Sequence, residues 1–378
     1  MLKRFRSARW AVLGAALVVT SIVGTAAGSA SAATPTSGLS YVALGDSYAA
    51  GFGLAPLTGL PVPECGQASV DYPHQVATAL GLVLTDVTCA GAITDNLVVA
   101  QGNAPAQATA LSPQTQVVSV TIGGNDLGFG AISQTCIALS AAGPLAADQA
   151  LPNCSAGYNG GQGDQLQQRL LGLVVPKLAA AFATITAAAP NAKVFVVGYP
   201  AIFPAVIPAA GCFSAVTTPN SFPFTDVDVA YLHGVETALN GAIQAAATTA
   251  EFTYVPAVGD SADHSACAAP ASAFVNGVTL SGNLPLPFSL HPNAGGVASM
   301  TAQLSSAIEA AFPAVVTPPV VTPPVIAPAD PATGTTNELA ATGPDTDRGL
   351  LLASLLLSAG LAITVPTIVR RRRVRATR

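Results

Sequence analysis

The chain has 378 residues, 51% of them hydrophobic and only 9% charged, with a net charge of −5. Eleven of its 14 Lys and Arg lie near the two ends, so residues 33 to 342 keep Arg169, Lys177 and Lys193 against 17 acids, or 3 minus 17, a net −14. Without clustered basic side chains, nucleic acid and anionic wall polymers are not expected as partners.

Residues 1 to 32 carry Lys3, Arg4, Arg6 and Arg9, an apolar run from 10 to about 23, and then Ala30-Ser31-Ala32. This is the pattern of a secretory signal peptide cleaved after Ala32. The apolar run is shorter than the roughly 20 residues a membrane span needs.

After it, apolar runs of strand length alternate with longer helical patterns. The expected strands are SYVALG (40 to 45), LVLTDVT (82 to 88), VVSVTIG (117 to 123), KVFVVGY (193 to 199) and FTYVPAV (252 to 258). Helical periodicity appears at 72 to 81, 164 to 189, 225 to 249 and 294 to 312. Such alternation predicts a doubly wound α/β fold over residues 37 to 312, its parallel sheet covered on both faces. Ligands in such folds sit outside the carboxyl ends of the strands.

The stretches 46 to 71, 131 to 163 and 259 to 290 remain as loops, and four of the six cysteines fall in them. In an exported chain six cysteines read as three disulfides, for which 15 connectivities exist. Pairing of neighbours is expected, Cys65 with Cys89, Cys136 with Cys154 and Cys212 with Cys267, since each pair closes a local excursion. Zinc is the rival reading, but no two cysteines have C-x₂₋₄-C spacing.

The Pro-rich segment 313 to 338, with its TPPV repeat, reads as an extended stalk. Beyond it, residues 349 to 369 are uncharged, apolar and long enough to span a bilayer, and Arg370 to Arg373 would hold the far end in the cytoplasm. Just upstream stands LAATG, Leu339 to Gly343. The order of pentapeptide, apolar span and basic tail resembles the cell-wall sorting signals read by Gram-positive sortases, in the LAxTG variant. That resemblance implies cleavage between Thr342 and Gly343, transfer of Thr342 to peptidoglycan, and contact with the membrane only before processing. The alternative is a membrane-anchored protein with an extracellular domain.

Three polar, small-residue turns follow the first three strands: GDSYAAG (45 to 51), CAGAITDNL (89 to 97) and GGNDLGF (123 to 129). Ser47 is a candidate nucleophile, and the Gly91 N–H and the Asn125 amide can face a developing oxyanion. A Gly-Asp-Ser turn alone is more often a plain turn with a capping serine. Its placement with the other two turns, and with SLHPN (289 to 293) at the domain end, points to chemistry.

GDSYAAG, the Gly of CAGA, GGND and the late HPN resemble the four blocks of the SGNH, or GDSL, hydrolases. The cysteines and wide spacing are similar to the secreted actinobacterial lipase and esterase branch. The resemblance covers roughly residues 40 to 312 and implies a flavodoxin-like three-layer α/β/α sandwich with a sheet of about five strands. It implies a monomeric carboxylic ester hydrolase with Ser47 as nucleophile and His291 as general base. The oxyanion hole would be the N–H groups of Ser47 and Gly91 with the Asn125 amide. Lipids, phospholipid acyl chains and acetylated glycans all suit it as ester substrates.

One departure stands out. Many members carry Asp three residues before the histidine, where this chain has Phe288. In a serine triad that carboxylate fixes the imidazole tautomer. The expectation here is a Ser-His dyad in which the Phe288 carbonyl accepts the proton of the second ring nitrogen. With an ordinary histidine, activity should fall on acidification near pH 6.5.

His264, beside Asp263, is the rival base; His74 and His233 fall on helical patterns and read as packing or surface residues. Asp126 reads as a loop brace, and Tyr48 and Phe52 as pocket or core aromatics. A non-catalytic, wall-displayed binding module on the same fold is the other class of function. There is no G-x-x-x-x-G-K-[ST] loop and no H-E-x-x-H, GFG at 51 to 53 is too short for a dinucleotide fingerprint, and Ala49 breaks G-x-S-x-G. Nothing in the sequence calls for a cofactor or a metal.

Overall fold

The computed structural model describes residues 35 to 314, apart from 162, 261 and 283. The signal peptide, most of the stalk and the sorting signal lie outside the described residues. Five parallel strands form the sheet: β1 (Ser40–Gly45), β2 (Val83–Asp86), β3 (Val117–Thr121), β4 (Lys193–Val197) and β5 (Thr253–Val255). Their order is β2-β1-β3-β4-β5. This is the doubly wound arrangement that the alternation predicted, in the flavodoxin-like form that the family resemblance implied.

Alternation along each strand sends successive side chains to opposite faces. Tyr41, Ala43, Val117, Phe195 and Val197 form one core, with residues of α1 (Tyr72–Leu80) and α4 (Ala294–Ala311). Val42, Leu44, Val118, Val120, Val194 and Val196 belong to the other, with α2 (Gln165–Ala188) and α3 (Asp226–Thr249). Helix α2 is long and apolar enough to cross a membrane, yet it covers this second face, burying Leu166, Leu170, Val174, Leu178, Phe182 and Ile185.

Each long helix starts where a side chain satisfies its free N–H groups. Asp71 accepts from the His74 N–H, Asp164 from Leu166 and Gln167, Thr225 from Asp228, and Asn293 from Gly295 and Gly296. The last cap matters for the site, because Asn293, two residues after His291, fixes the start of α4.

The cysteines pair as neighbours: Cys65–Cys89, Cys136–Cys154 and Cys212–Cys267. By loop-closure entropy each contributes about 3 to 4 kcal/mol. The loops are more structured than the sequence suggested. Short helices span Phe129–Thr135 and Cys154–Tyr158, and a two-stranded hairpin, β6 (Leu280–Ser281) and β7 (Leu284–Pro285), lies in the last loop.

Candidate active site

The chain runs from β1 to β2 on one side and returns past β1 to β3, so β1 and β3 are neighbours at the point where the winding reverses. A crevice opens at such a point beyond the carboxyl ends of the strands. Ser47 follows β1 there and Asn125 follows β3. Gly45 makes the first turn possible: its φ is +138°, and a Cβ would stand 2.5 Å from the Thr121 carbonyl oxygen.

His291 arrives from the far end of the domain. Its Nε2 lies 2.8 Å from Ser47 Oγ, and its Nδ1 lies 2.9 Å from the Ser289 carbonyl oxygen. A carbonyl can only accept, so the proton sits on Nδ1 and Nε2 is free to accept from the serine hydroxyl. Among the described residues no carboxylate pairs with this imidazole.

The expected Phe288 carbonyl is thus corrected to that of Ser289. Phe288 O accepts the His291 main-chain N–H at 3.1 Å and the Asn276 amide at 3.2 Å. Residues 288 to 291 form a turn whose closing hydrogen bond occupies the Phe288 oxygen, and the next carbonyl faces the ring. Within it Leu290 adopts φ +58°, a strained conformation for a branched side chain. Tyr48 holds it there, donating its hydroxyl to Leu290 O at 2.6 Å, while Leu290 N–H donates to Asn276 O.

The oxyanion candidates converge on the same cleft, which Ser47, Gly91, Asn125 and His291 all line. Gly91 has φ +79°, open to glycine at little cost. Among the described residues no hydrogen bond uses the N–H of Ser47 or of Gly91. The Asn125 amide donates one hydrogen to Ala92 O at 2.9 Å, which aims its second and ties the two loops together. Asp126 accepts from the N–H and hydroxyl of Thr94 and is the loop brace expected.

A further link was not read from the sequence. Tyr199, just beyond β4, donates its hydroxyl to Asp46 at 2.5 Å and accepts the Gly124 N–H at 3.0 Å. It joins the turn before Ser47 to the turn before Asn125. A polar residue at the carboxyl end of the fourth strand was the available signal. Burial pushes the Asp46 carboxyl up to about 7, against the hydrogen bonds of Tyr199 and the Tyr48 N–H.

Burial also decides the state of His291. With desolvation disfavouring the charged ring and only the Ser289 hydrogen bond opposing, its pKa is lowered to about 4. The ordinary value expected from sequence is therefore corrected downward. Tyr48 and Phe52 do flank the imidazole, with ring centroids 5.0 and 5.6 Å away. His264 pairs with Asp260 rather than Asp263, and stacks on Phe274. His233 bonds the Phe203 carbonyl. Neither lines the cleft that holds Ser47.

A serine hydroxyl joined to a half-buried imidazole, beside two loops with aimed donors on a 2-1-3-4-5 sheet, defines the SGNH class of hydrolase fold. The chain belongs to the GDSL-like Lipase/Acylhydrolase family, whose sequence profile matches residues 43–298. It is 37% identical over 266 residues to Lipase 2 of Streptomyces coelicolor, covering 70% of this chain and 83% of that one. To an Esterase of Streptomyces scabiei it is 30% identical over 311 residues, covering 75% and 89%. Its fold superposes on the crystal structure of phospholipase A1 from Streptomyces albidoflavus NA297 with a TM-score of 0.55 at 26% identity, covering 71% and 99%. The protein is a carboxylic ester hydrolase.

Proposed function

We propose that this hydrolase works through an acyl-Ser47 intermediate generated by a Ser-His dyad. The observation that carries the reading is the 2.8 Å contact between His291 Nε2 and Ser47 Oγ, with the other ring nitrogen held by the Ser289 carbonyl. As Oγ attacks the ester carbonyl carbon, Nε2 takes its proton, and the Ser289 dipole supports the positive ring. The N–H groups of Ser47 and Gly91 and the free Asn125 amide hydrogen stabilise the oxyanion. The imidazolium returns the proton to the departing alcohol. A water activated by the same nitrogen then releases the acid and restores Ser47.

Acyl lipids fit the site better than polymer-bound acetyl groups. Beside Ser47 lies a cavity walled by Leu127, Phe129, Ile132, Phe203, Leu232 and Leu239. Of the two acids that line it, Asp46 is pushed up to about 7 and held by Tyr199, and Glu236 is pushed up to about 8 by burial and accepts the N–H groups of Ile202 and Phe203. Glu236 is therefore mostly neutral near pH 7, Asp46 faces Tyr199, and the rest of the lining is largely apolar. Each buried methylene of an acyl chain is worth about 0.8 kcal/mol. A panel of chromogenic esters, with a phospholipid and acetylated xylan beside it, should show kcat/KM rising severalfold from acetyl to medium chains. Highest turnover on acetylated xylan would overturn the lipid assignment.

The enzyme is further proposed to be exported and held on the cell wall through Thr342 after cleavage of LAATG. The support is the sequence order of motif, apolar span and basic tail. Muramidase digestion of the envelope should release active enzyme, and Thr342→Ala should shift it to the membrane fraction. Wild-type enzyme that only detergent extracts would reject the wall attachment.

A further inference from the structure

Outside the catalytic cleft, the edge of the sheet carries a second cluster of polar side chains. Asp71 caps α1, His74 stands in its first turn, and Asp86 ends β2. His74 Nδ1 lies 2.7 Å from Asp71 Oδ1 and 3.4 Å from Asp86 Oδ2. The two acidic side chains are 0% and 4% exposed, and the imidazole 31%.

Two buried carboxylates here face one half-buried imidazole. Of the three Lys and Arg among the described residues, none pairs with either acid. An imidazolium balances one carboxylate and leaves the other uncompensated, a costly state away from water. The remaining oxygens sharpen the point. Asp71 Oδ1 takes the His74 N–H and ring, and Asp86 Oδ1 takes the N–H and hydroxyl of Thr88. Asp71 Oδ2 and Asp86 Oδ2 are buried with no hydrogen-bond partner.

A divalent cation resolves both problems together. One ligand atom from each of the three residues lies within 4.8 Å of the others, so that small side-chain shifts bring all three onto one ion. One imidazole nitrogen with two carboxylate oxygens is a donor set for zinc or a similar transition ion, while calcium takes six or more oxygens. The exposed side of His74 leaves a path for entry and for a water as fourth ligand.

We infer that Asp71, His74 and Asp86 form a structural site for a zinc-class divalent cation. Binding displaces the proton that His74 shares with Asp71, so the ion replaces a hydrogen bond with a coordinate bond and a proton leaves to solvent. The ion ties the start of α1 to the end of β2. Through Asp86 and Thr88 it braces the chain entering Cys89 and Gly91, but it takes no part in the ester chemistry.

The test uses the full chain stripped with chelator and dialysed against Zn²⁺ at about 100 μM. One equivalent of zinc should remain bound, about one proton should be released per ion, and the melting temperature should rise by about 5 °C. Co²⁺ in its place should give the visible absorption of a four-coordinate site. His74→Gln should lose the bound metal and the temperature rise, and His264→Gln should keep both. Wild-type protein that binds no zinc, or binding that survives in a folded His74→Gln variant, would overturn the assignment. Because these readouts are independent of turnover, they also stand apart from the catalytic reading of Ser47.

Discussion

Replacing Ser47 by alanine is expected to lower hydrolysis of a short-chain chromogenic ester by at least about 10⁴-fold while the protein stays folded. The side chain holds no structural role that would confuse the result, since its oxygen contacts only the imidazole of His291 at 2.8 Å. What is lost is the nucleophile itself, and among the described residues no other hydroxyl shares the imidazole. His291→Ala should cost a comparable factor, and the double variant should be little worse than either single one, because the two residues act as a unit. Circular dichroism and melting of the variants verify folding. Turnover above about 1% of wild type in folded Ser47→Ala would sink the acyl-serine mechanism.

Much of the architecture could be read beforehand because one physical signal dominates it. A parallel strand buried on both faces must be apolar throughout, and VVSVT, KVFVV and SYVALG stand out from the polar turns after them. The four long helices announced themselves by period. The loops were less legible. The hairpin of β6 and β7 has two residues per strand, too few for alternation to show. The helix at Phe129–Thr135 opens from Gly128 without a side-chain cap, so its start carries no sequence mark.

The site divides along the same line. Ser47, Gly91, Asn125 and His291 were visible because each lies in a short motif after a strand or before a helix. What orients His291 was not, since any carbonyl of the turn reads alike in sequence. Only the path of the chain assigns Phe288 O to the turn and Ser289 O to the ring, and that path depends on Leu290 at positive φ. Tyr199 and Asn276 escaped for a related reason. Their partners are distant in sequence: Tyr199 reaches Asp46 across 153 positions, and no local pattern encodes the pairing.

The pH dependence separates the buried dyad from an ordinary histidine. Hydrolysis, followed as kcat/KM, is expected to hold nearly level from pH 8 to pH 5 and to fall only as the pH approaches 4. The base works when neutral, so activity is present above its pKa and lost below it. Burial has pushed that pKa to about 4. At pH 5 about 90% of the imidazole is then neutral, against about 3% for a ring at 6.5, a difference of roughly 30-fold. Stability moves in the same direction. The unfolded chain takes up this proton near pH 6.5 and the fold resists it until about 4, so stability declines over that interval and folding must be checked at each pH. Asp46, raised to about 7 beside the nucleophile, is the other group that can shape the profile. Asp46→Asn removes its titration and leaves the imidazole's. An acid limb near 6.5 that persists in Asp46→Asn would mean that solvent or a carboxylate supports the charged ring, and the carbonyl-oriented dyad with a lowered pKa would have to be given up.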